Sequence, residues 1–243
     1  MKIRRYKNEQ YNKLAEITPK FKAEAKEDMS SLTIYGDIGE SWWGDSISAS
    51  QIERALKDIQ SDTIHVHLNS GGGDVFDGIA IYNQLKNHSA KIVIHVEGLA
   101  ASAASLILMA ADEAIIYTGA MVMIHEASTG VWGTKADIKK TLNALEGIDK
   151  SLADIYMTRF QGERAEVEKM IENETWFTAG EAVDIGLADI VDEKEAEPVE
   201  EDPEEFKNSV LEKIRNRNGN KINNQVTKTN NSILDKFKRV SNE

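Results

Sequence analysis

No cysteine occurs among the 243 residues, which excludes disulfides and thiolate metal sites. Proline is scarce as well: there are three, and Pro198 and Pro203 share one acidic run. Positive charge is in deficit, 29 Lys and Arg against 41 Asp and Glu, for a formal net charge of -12. A protein of that charge is repelled by polyanions, so coating nucleic acid is excluded as a function. No apolar run is long enough to span a bilayer; the longest, residues 99–111, lies between Glu97 and Asp112. The basic start "MKIRRYKNEQYNKL" has no apolar stretch behind it, so no secretory signal is read and a soluble, cytoplasmic protein is expected.

What is present suits a globular protein: 41% hydrophobic and 29% charged residues, enough for one substantial core with an appendage. Residues 1–31 are rich in lysine and glutamate with weak periodicity, and read as a mobile or docking arm. From residue 32 to 192, short apolar runs alternate with amphipathic segments, the pattern of an α/β domain. Strands are expected at "LTIYGDI", "TIHVHL", "KIVIHV", "AIIY" and "MVMIH". Helices are expected at "SASQIERALKDIQ", with Ser48 and Gln51 as a capping box, and at "VFDGIAIYNQLKN". Further helices are expected from about residue 101, over 134–160, and at "TAGEAVDIG", where Thr178 and Glu181 form another capping box. Residues 193–243 begin with an acidic, proline-containing linker and continue as a basic, asparagine-rich tail, with a marginal helix at 206–217.

Two glycine-containing turns carry the candidate chemistry. "NSGGGD" joins a strand to a helix, and three glycines let backbone N–H groups approach an anion or a polarised carbonyl. No Lys-Ser/Thr pair follows, so this is not a phosphate loop; a plain tight turn is the alternative. "HVEGLAASAASLILMAADE" repeats the arrangement, with Ser102 at a helix N-terminus that favours developing negative charge. Taken alone, Ser102 reads as a simple helix cap. Ser105, one turn on, is placed for packing or for bonding back to the helix. The stretch is not a G-x-S-x-G elbow.

A nucleophilic serine needs a base, and His125 ends "MVMIH" before the loop "EASTGVWG", a strand-end position suited to one. His65, His67 and His95 lie inside strands and His88 at a polar helix end. Glu174, in "NETWFTA", supplies a carboxylate to orient the base. A structural histidine and an exposed loop glutamate are the alternatives for the two. No metal or cofactor is called for.

The motifs "NSGGGDVFDGIAIYNQL", "VEGLAASAASLILMAAD", "MVMIHEASTGVWGTKADI" and "ETWFTAGEAVDIGLAD" occur in order. Together they resemble the ClpP-like serine peptidases, the proteolytic subunits of Clp protease, and most of all the phage and prophage head maturation proteases. The resemblance implies a ClpP/crotonase-type fold: repeated β-β-α units in a right-handed spiral, with the helix from Thr134 as a protruding handle. It implies Ser102 as nucleophile, His125 as general base and Glu174 as third member, where the family usually has aspartate. The oxyanion hole would be the amides of Gly73 and Ala103, with Gly72 contacting substrate. Gly71 stands where the family has proline, which loosens the turn.

Protein or peptide substrates are implied, among them capsid, portal or scaffold proteins, with a homo-oligomeric ring and an AAA+ unfoldase as partners. Competing readings are a housekeeping, ATPase-fed Clp subunit and a crotonase-fold enzyme acting on coenzyme A thioesters, which shares the amide oxyanion hole. A ring-forming pseudo-protease is a non-enzymatic reading.

Overall fold

The computed structural model describes residues 17–25, 29–39 and 46–192. The chain divides into two units, Met1–Lys194 and Glu195–Glu243. The expected acidic linker, basic tail and 206–217 helix lie outside the described residues, as does most of the N-terminal arm.

An eight-stranded sheet organises the first unit. Its main path runs β1 (Lys20–Glu24), β2 (Ser30–Tyr35), β3 (Thr63–Ser70), β4 (Lys91–Ala101), β5 (Glu113–Tyr117) and β8 (Ile190–Asp192). Two further strands, β6 (Met121–Ile124) and β7 (Thr175–Thr178), branch from it: β6 pairs with β4, and β7 with β6. Pairs from β2 to β8 along the main path are parallel. Such strands bury one face under crossover helices, and β3 does so by strict alternation. Ile64, Val66 and Leu68 are fully buried, while His65 and His67 face the other way and are half-buried.

Helices α1 (Ala49–Lys57), α2 (Val75–Lys86) and α3 (Ala103–Leu108) cover the buried face with Ile52, Ile81, Leu85, Leu106 and Ile107. Complete burial of a large aliphatic side chain stabilises by about 1.5–3 kcal/mol, so these rows dominate the core. The caps expected from sequence are present. The Ser48 amide donates to Gln51 Oε1 at 3.0 Å at the start of α1. Thr178 and Glu181 form the capping box of α6 (Ala179–Asp184), and Gly186 follows at φ +82°.

The structure departs from the sequence reading in three places. The arm expected over 1–31 contains β1, an antiparallel edge strand against β2, and β2 itself starts at Ser30. Lysines on that edge, Lys20 and Lys22, discourage pairing with other chains. Helix α5 (Arg164–Glu172) and strands β7 and β8 were not expected. The strand "KIVIHV" runs on to Ala101, so α3 starts two residues later than expected. That extension matters, because β4 changes neighbour along its length. Val93–Val96 pair with β5, whereas Leu99–Ala101 pair with β6.

The long helix α4 (Lys135–Tyr156) is capped by Thr134, whose side chain accepts from the Asp137 amide. Only its last turns are buried, through Leu152, Ala153, Ile155 and Tyr156. Ile138 and Leu142 on its outer half are 48% and 54% exposed. No helix among the described residues is long and apolar enough to cross a membrane.

Candidate active site

Three neighbouring strands converge at one end. Ser102 immediately follows β4, His125 immediately follows β6, and Glu174 immediately precedes β7. Because β4 and β6 are parallel with Ala101 opposite Met123, their C-terminal ends lie together. The Ser102 amide donates to the Met123 carbonyl at 2.9 Å, which extends that ladder to the serine. Strand β7 runs antiparallel to β6 with Ile124 opposite Thr175, so its N-terminal end meets the His125 end.

Here Ser102 Oγ and His125 Nε2 are 2.7 Å apart, a hydrogen-bond distance. The serine sits at φ 57°, ψ -127°, between strand and helix, in a backbone region costly for any residue but glycine. Strain of that kind costs on the order of 1–3 kcal/mol. It makes the turn sharp and lifts the hydroxyl out of the helix-cap role; no cap hydrogen bond is made by the side chain. Ser105 does bond back: its Oγ donates to the Ser102 carbonyl at 2.6 Å and lies 2.7 Å from the Tyr156 hydroxyl.

Glu174 is buried and sits at φ 51°, just past Asn173, the C-cap of α5. That position commonly holds glycine, since an L side chain is disfavoured there. A left-handed glutamate is therefore held by its surroundings, and the Trp176 indole donates to its Oε1 at 3.3 Å. Asp189, the carboxylate after α6, is engaged elsewhere: it accepts from the Ala114 amide at 2.7 Å and from Arg159 at 2.6 Å.

The glycine turn lies against the same place. A Cβ built on Gly72 would fall 2.6 Å from the Ala101 carbonyl, 2.7 Å from Ser102 Cβ and 2.9 Å from the Ala103 amide. Only glycine brings the backbone this close. Ile38 clamps the turn: its amide donates to the Gly72 carbonyl at 3.0 Å and its carbonyl accepts from the Asp74 amide at 2.9 Å. The Gly73 amide falls between these bonds and takes part in neither. The Ala103 amide opens α3, where no intrahelical acceptor exists. In place of the rigid proline, Ser70 Oγ, fully buried, accepts from the Gly72 amide at 3.0 Å and ties the turn.

Sequence reasoning passed over two α4 residues in the frame of the site. Tyr156 meets Ser105, and Asp149 Oδ1 accepts from the Ala127 amide at 2.8 Å, two residues past His125. A polar residue on the half of a helix that packs inward was their only signal.

The family model for Clp protease matches residues 44–195. The chain belongs to the Clp protease family. Among its relatives, the ATP-dependent Clp protease proteolytic subunit 1 of Chlamydia abortus is 32% identical over 126 residues, which is 50% of this chain and 66% of that protein. Its counterpart in Corynebacterium jeikeium is 34% identical over 131 residues, 53% of this chain and 69% of that one. The one in Leifsonia xyli subsp. xyli is 32% identical over 149 residues, 60% and 75% of the two chains. The match thus spans about two thirds of the relatives' length, just under that share for the Chlamydia protein. For a peptidase family, a serine and an imidazole in contact, with a glycine turn packed against the serine, are the arrangement of interest.

Proposed function

We propose that this member of the Clp protease family is a serine endopeptidase that works through an acyl-enzyme on Ser102. The observation that carries this reading is the 2.7 Å contact between Ser102 Oγ and His125 Nε2 on a strained strand-to-helix turn. In this reading His125 removes the hydroxyl proton as Oγ attacks the scissile carbonyl, then returns it to the leaving amine. Water, activated by the same imidazole, hydrolyses the acyl-serine. The Gly73 and Ala103 amides stabilise the oxyanion, each worth roughly a hundredfold or more in rate. Glu174 orients the imidazole and stabilises its charged form, and Gly72 leaves room for the substrate backbone beside Ser102. A crotonase-type thioester enzyme has no need of the Ser–His contact.

The exposed outer half of α4 supports assembly of copies into a ring, with this helix as the handle between rings. Two biological roles share the chemistry. The motif resemblance points to maturation of capsid, portal or scaffold proteins of a phage; the names of the relatives point to ATP-dependent degradation with an AAA+ unfoldase. Cleavage of a folded protein only with unfoldase and ATP assigns the second role, and trimming of capsid proteins without them assigns the first.

The test of the chemistry is mass spectrometry of the full chain treated with a fluorophosphonate, beside the Ser102→Ala variant. The expected result is one adduct on Ser102 and no peptide cleavage by the variant. Cleavage that survives Ser102→Ala removes the serine mechanism.

A further inference from the structure

Tyr156 is a wholly buried phenol at the inner end of α4, and its hydroxyl is 2.7 Å from Ser105 Oγ. Ser105, also fully buried, donates its one hydroxyl proton to the Ser102 carbonyl at 2.6 Å. With that proton committed, Ser105 Oγ can only accept from the phenol, so Tyr156 O–H is the donor. The hydrogen bonds therefore run in one direction, from Tyr156 to Ser105 to the Ser102 carbonyl. Burial holds the phenol well above its ordinary pKa, so it keeps its proton across the working pH range. The Ser105 amide donates to the same carbonyl at 2.9 Å.

The Ser102 carbonyl and the Ala103 N–H belong to one planar peptide unit and point in opposite directions. Whatever fixes the carbonyl also aims the amide. Ser102, the N-cap of α3, departs from helical geometry at φ 57°, ψ -127°, and the Ser105 hydroxyl joins the backbone donors of the first turn in fixing the orientation of this peptide. From these contacts we infer that Tyr156 and Ser105 are positioning residues that aim the Ala103 amide at the oxyanion. The inference rests on the reading of Ser102 as the nucleophile. Neither residue touches substrate; both act through the Ser102–Ala103 peptide. A phenol on the last turn of α4 thus sets the direction of a donor on α3.

The experiment measures kcat and KM for a fluorogenic peptide, with thermal melting, for full-length Tyr156→Phe, Ser105→Ala and the double variant. Expected is a fall in kcat of roughly ten- to a hundredfold in each single variant, with KM within about twofold. The double variant is expected to match Ser105→Ala alone, because the phenol acts only through that hydroxyl. Losses that multiply in the double variant, kcat within twofold of wild type, or a fall that appears in KM overturns the inference. If Ser105→Ala does not fold, Tyr156→Phe, which keeps the buried ring, decides the matter by the same kcat-against-KM split. Ser102→Ala is run beside them. Cleavage persisting there overturns the serine reading, whereas cleavage lost there but unaffected by Tyr156→Phe overturns only the positioning role.

Discussion

Ile124 and Thr175 stand opposite each other in the β6–β7 ladder, so His125 and Glu174, the next residue on each strand, leave the sheet at the same edge. This antiparallel pair, formed by segments some fifty positions apart in the chain, brings the carboxylate into the neighbourhood of the imidazole.

Glu174 is expected to trade stability for function. At φ 51° it holds a conformation that costs a side-chain-bearing residue about 1–2 kcal/mol, and glycine there is free of that cost. Glu174→Gly is expected to lower kcat by roughly two to four orders of magnitude without lowering the melting temperature. Peptide turnover and calorimetry on the same preparation check both halves.

Substitution in the glycine turn is expected to act at two levels. Gly72→Ala, at φ +88°, drives a methyl into the Ala101 carbonyl, Ser102 Cβ and the Ala103 amide, so the well-folded fraction should lose fluorophosphonate labelling at Ser102. Gly73→Ala places Cβ 2.0 Å from the Ile38 carbonyl and breaks the clamp, so its larger effect should be on stability. Denaturant midpoints compared with labelling rates separate the two.

Asp149 holds the chain past His125 by accepting from the Ala127 amide. Asp149→Ala is expected to lower kcat about tenfold, while Asp149→Asn, which keeps an acceptor oxygen, stays within about threefold of wild type. Burial foremost, with the Glu126 charge adding to it and the Ala127 hydrogen bond opposing it, raises the pKa of this carboxyl. Equal loss in the two variants removes the acceptor role.

The face of the sheet turned away from the helices carries a cluster that should make stability depend on pH. His65 Nδ1 is 2.8 Å from His95 Nε2, His67 Nδ1 is 2.7 Å from Glu97 Oε1, and the Tyr35 hydroxyl donates to Glu97. The rings of His65 and His67 stack on His95 with centroids 5.1 and 5.2 Å away, and no group among the described residues converges to hold a metal ion. Burial first, then the neighbouring histidines, lowers the pKa of His95; His67 is lowered by burial, then by His65 and Lys20. Asp192 and Glu113 oppose the shift at His95. Contact with Glu97 would favour a charged pair, but burial raises the Glu97 pKa and both groups are driven toward neutrality.

The unfolded chain therefore takes up protons on these histidines before the folded one does. Stability is full above the ordinary histidine range, near pH 6.5, and is lost as pH falls through it toward the lower folded values. Glu97 acts in the opposite sense further down, its protonation favouring the folded state. Melting temperature should fall between about pH 7.5 and 5.5, and His95→Gln should flatten that slope. An unchanged slope in the variant removes the cluster as its source.

Ile138 and Leu142 project from the outer half of α4, and Trp132 just before it is fully exposed. Replacing Ile138 and Leu142 together by lysine is expected to leave the stability of the subunit within about 0.5 kcal/mol and to dissociate the ring proposed above. Sedimentation velocity reads the second effect.

Much of the molecule was legible from short-range signals. The capping boxes at Ser48 and Thr178, the alternation in β3 and the glycine turn before α2 are local patterns, because cap bonds and side-chain alternation involve residues only a few positions apart. Sequence alone also singled out Ser102, His125 and Glu174, through the order of their motifs. It missed β7, since a four-residue strand with one buried side chain has almost no pattern of its own. Strand β1 was hidden for the same reason among lysines and glutamate.

The chain by itself determined which residue types were available for acyl transfer and which elements would carry them. Tertiary structure alone decided that β4 leaves β5 for β6, that Ser102 and Glu174 take left-handed backbone conformations, and that Tyr156 reaches Ser105. The reason is one of range: strand register and positive φ values are imposed by partners dozens of residues away, and local sequence preference opposes them until those partners are in place.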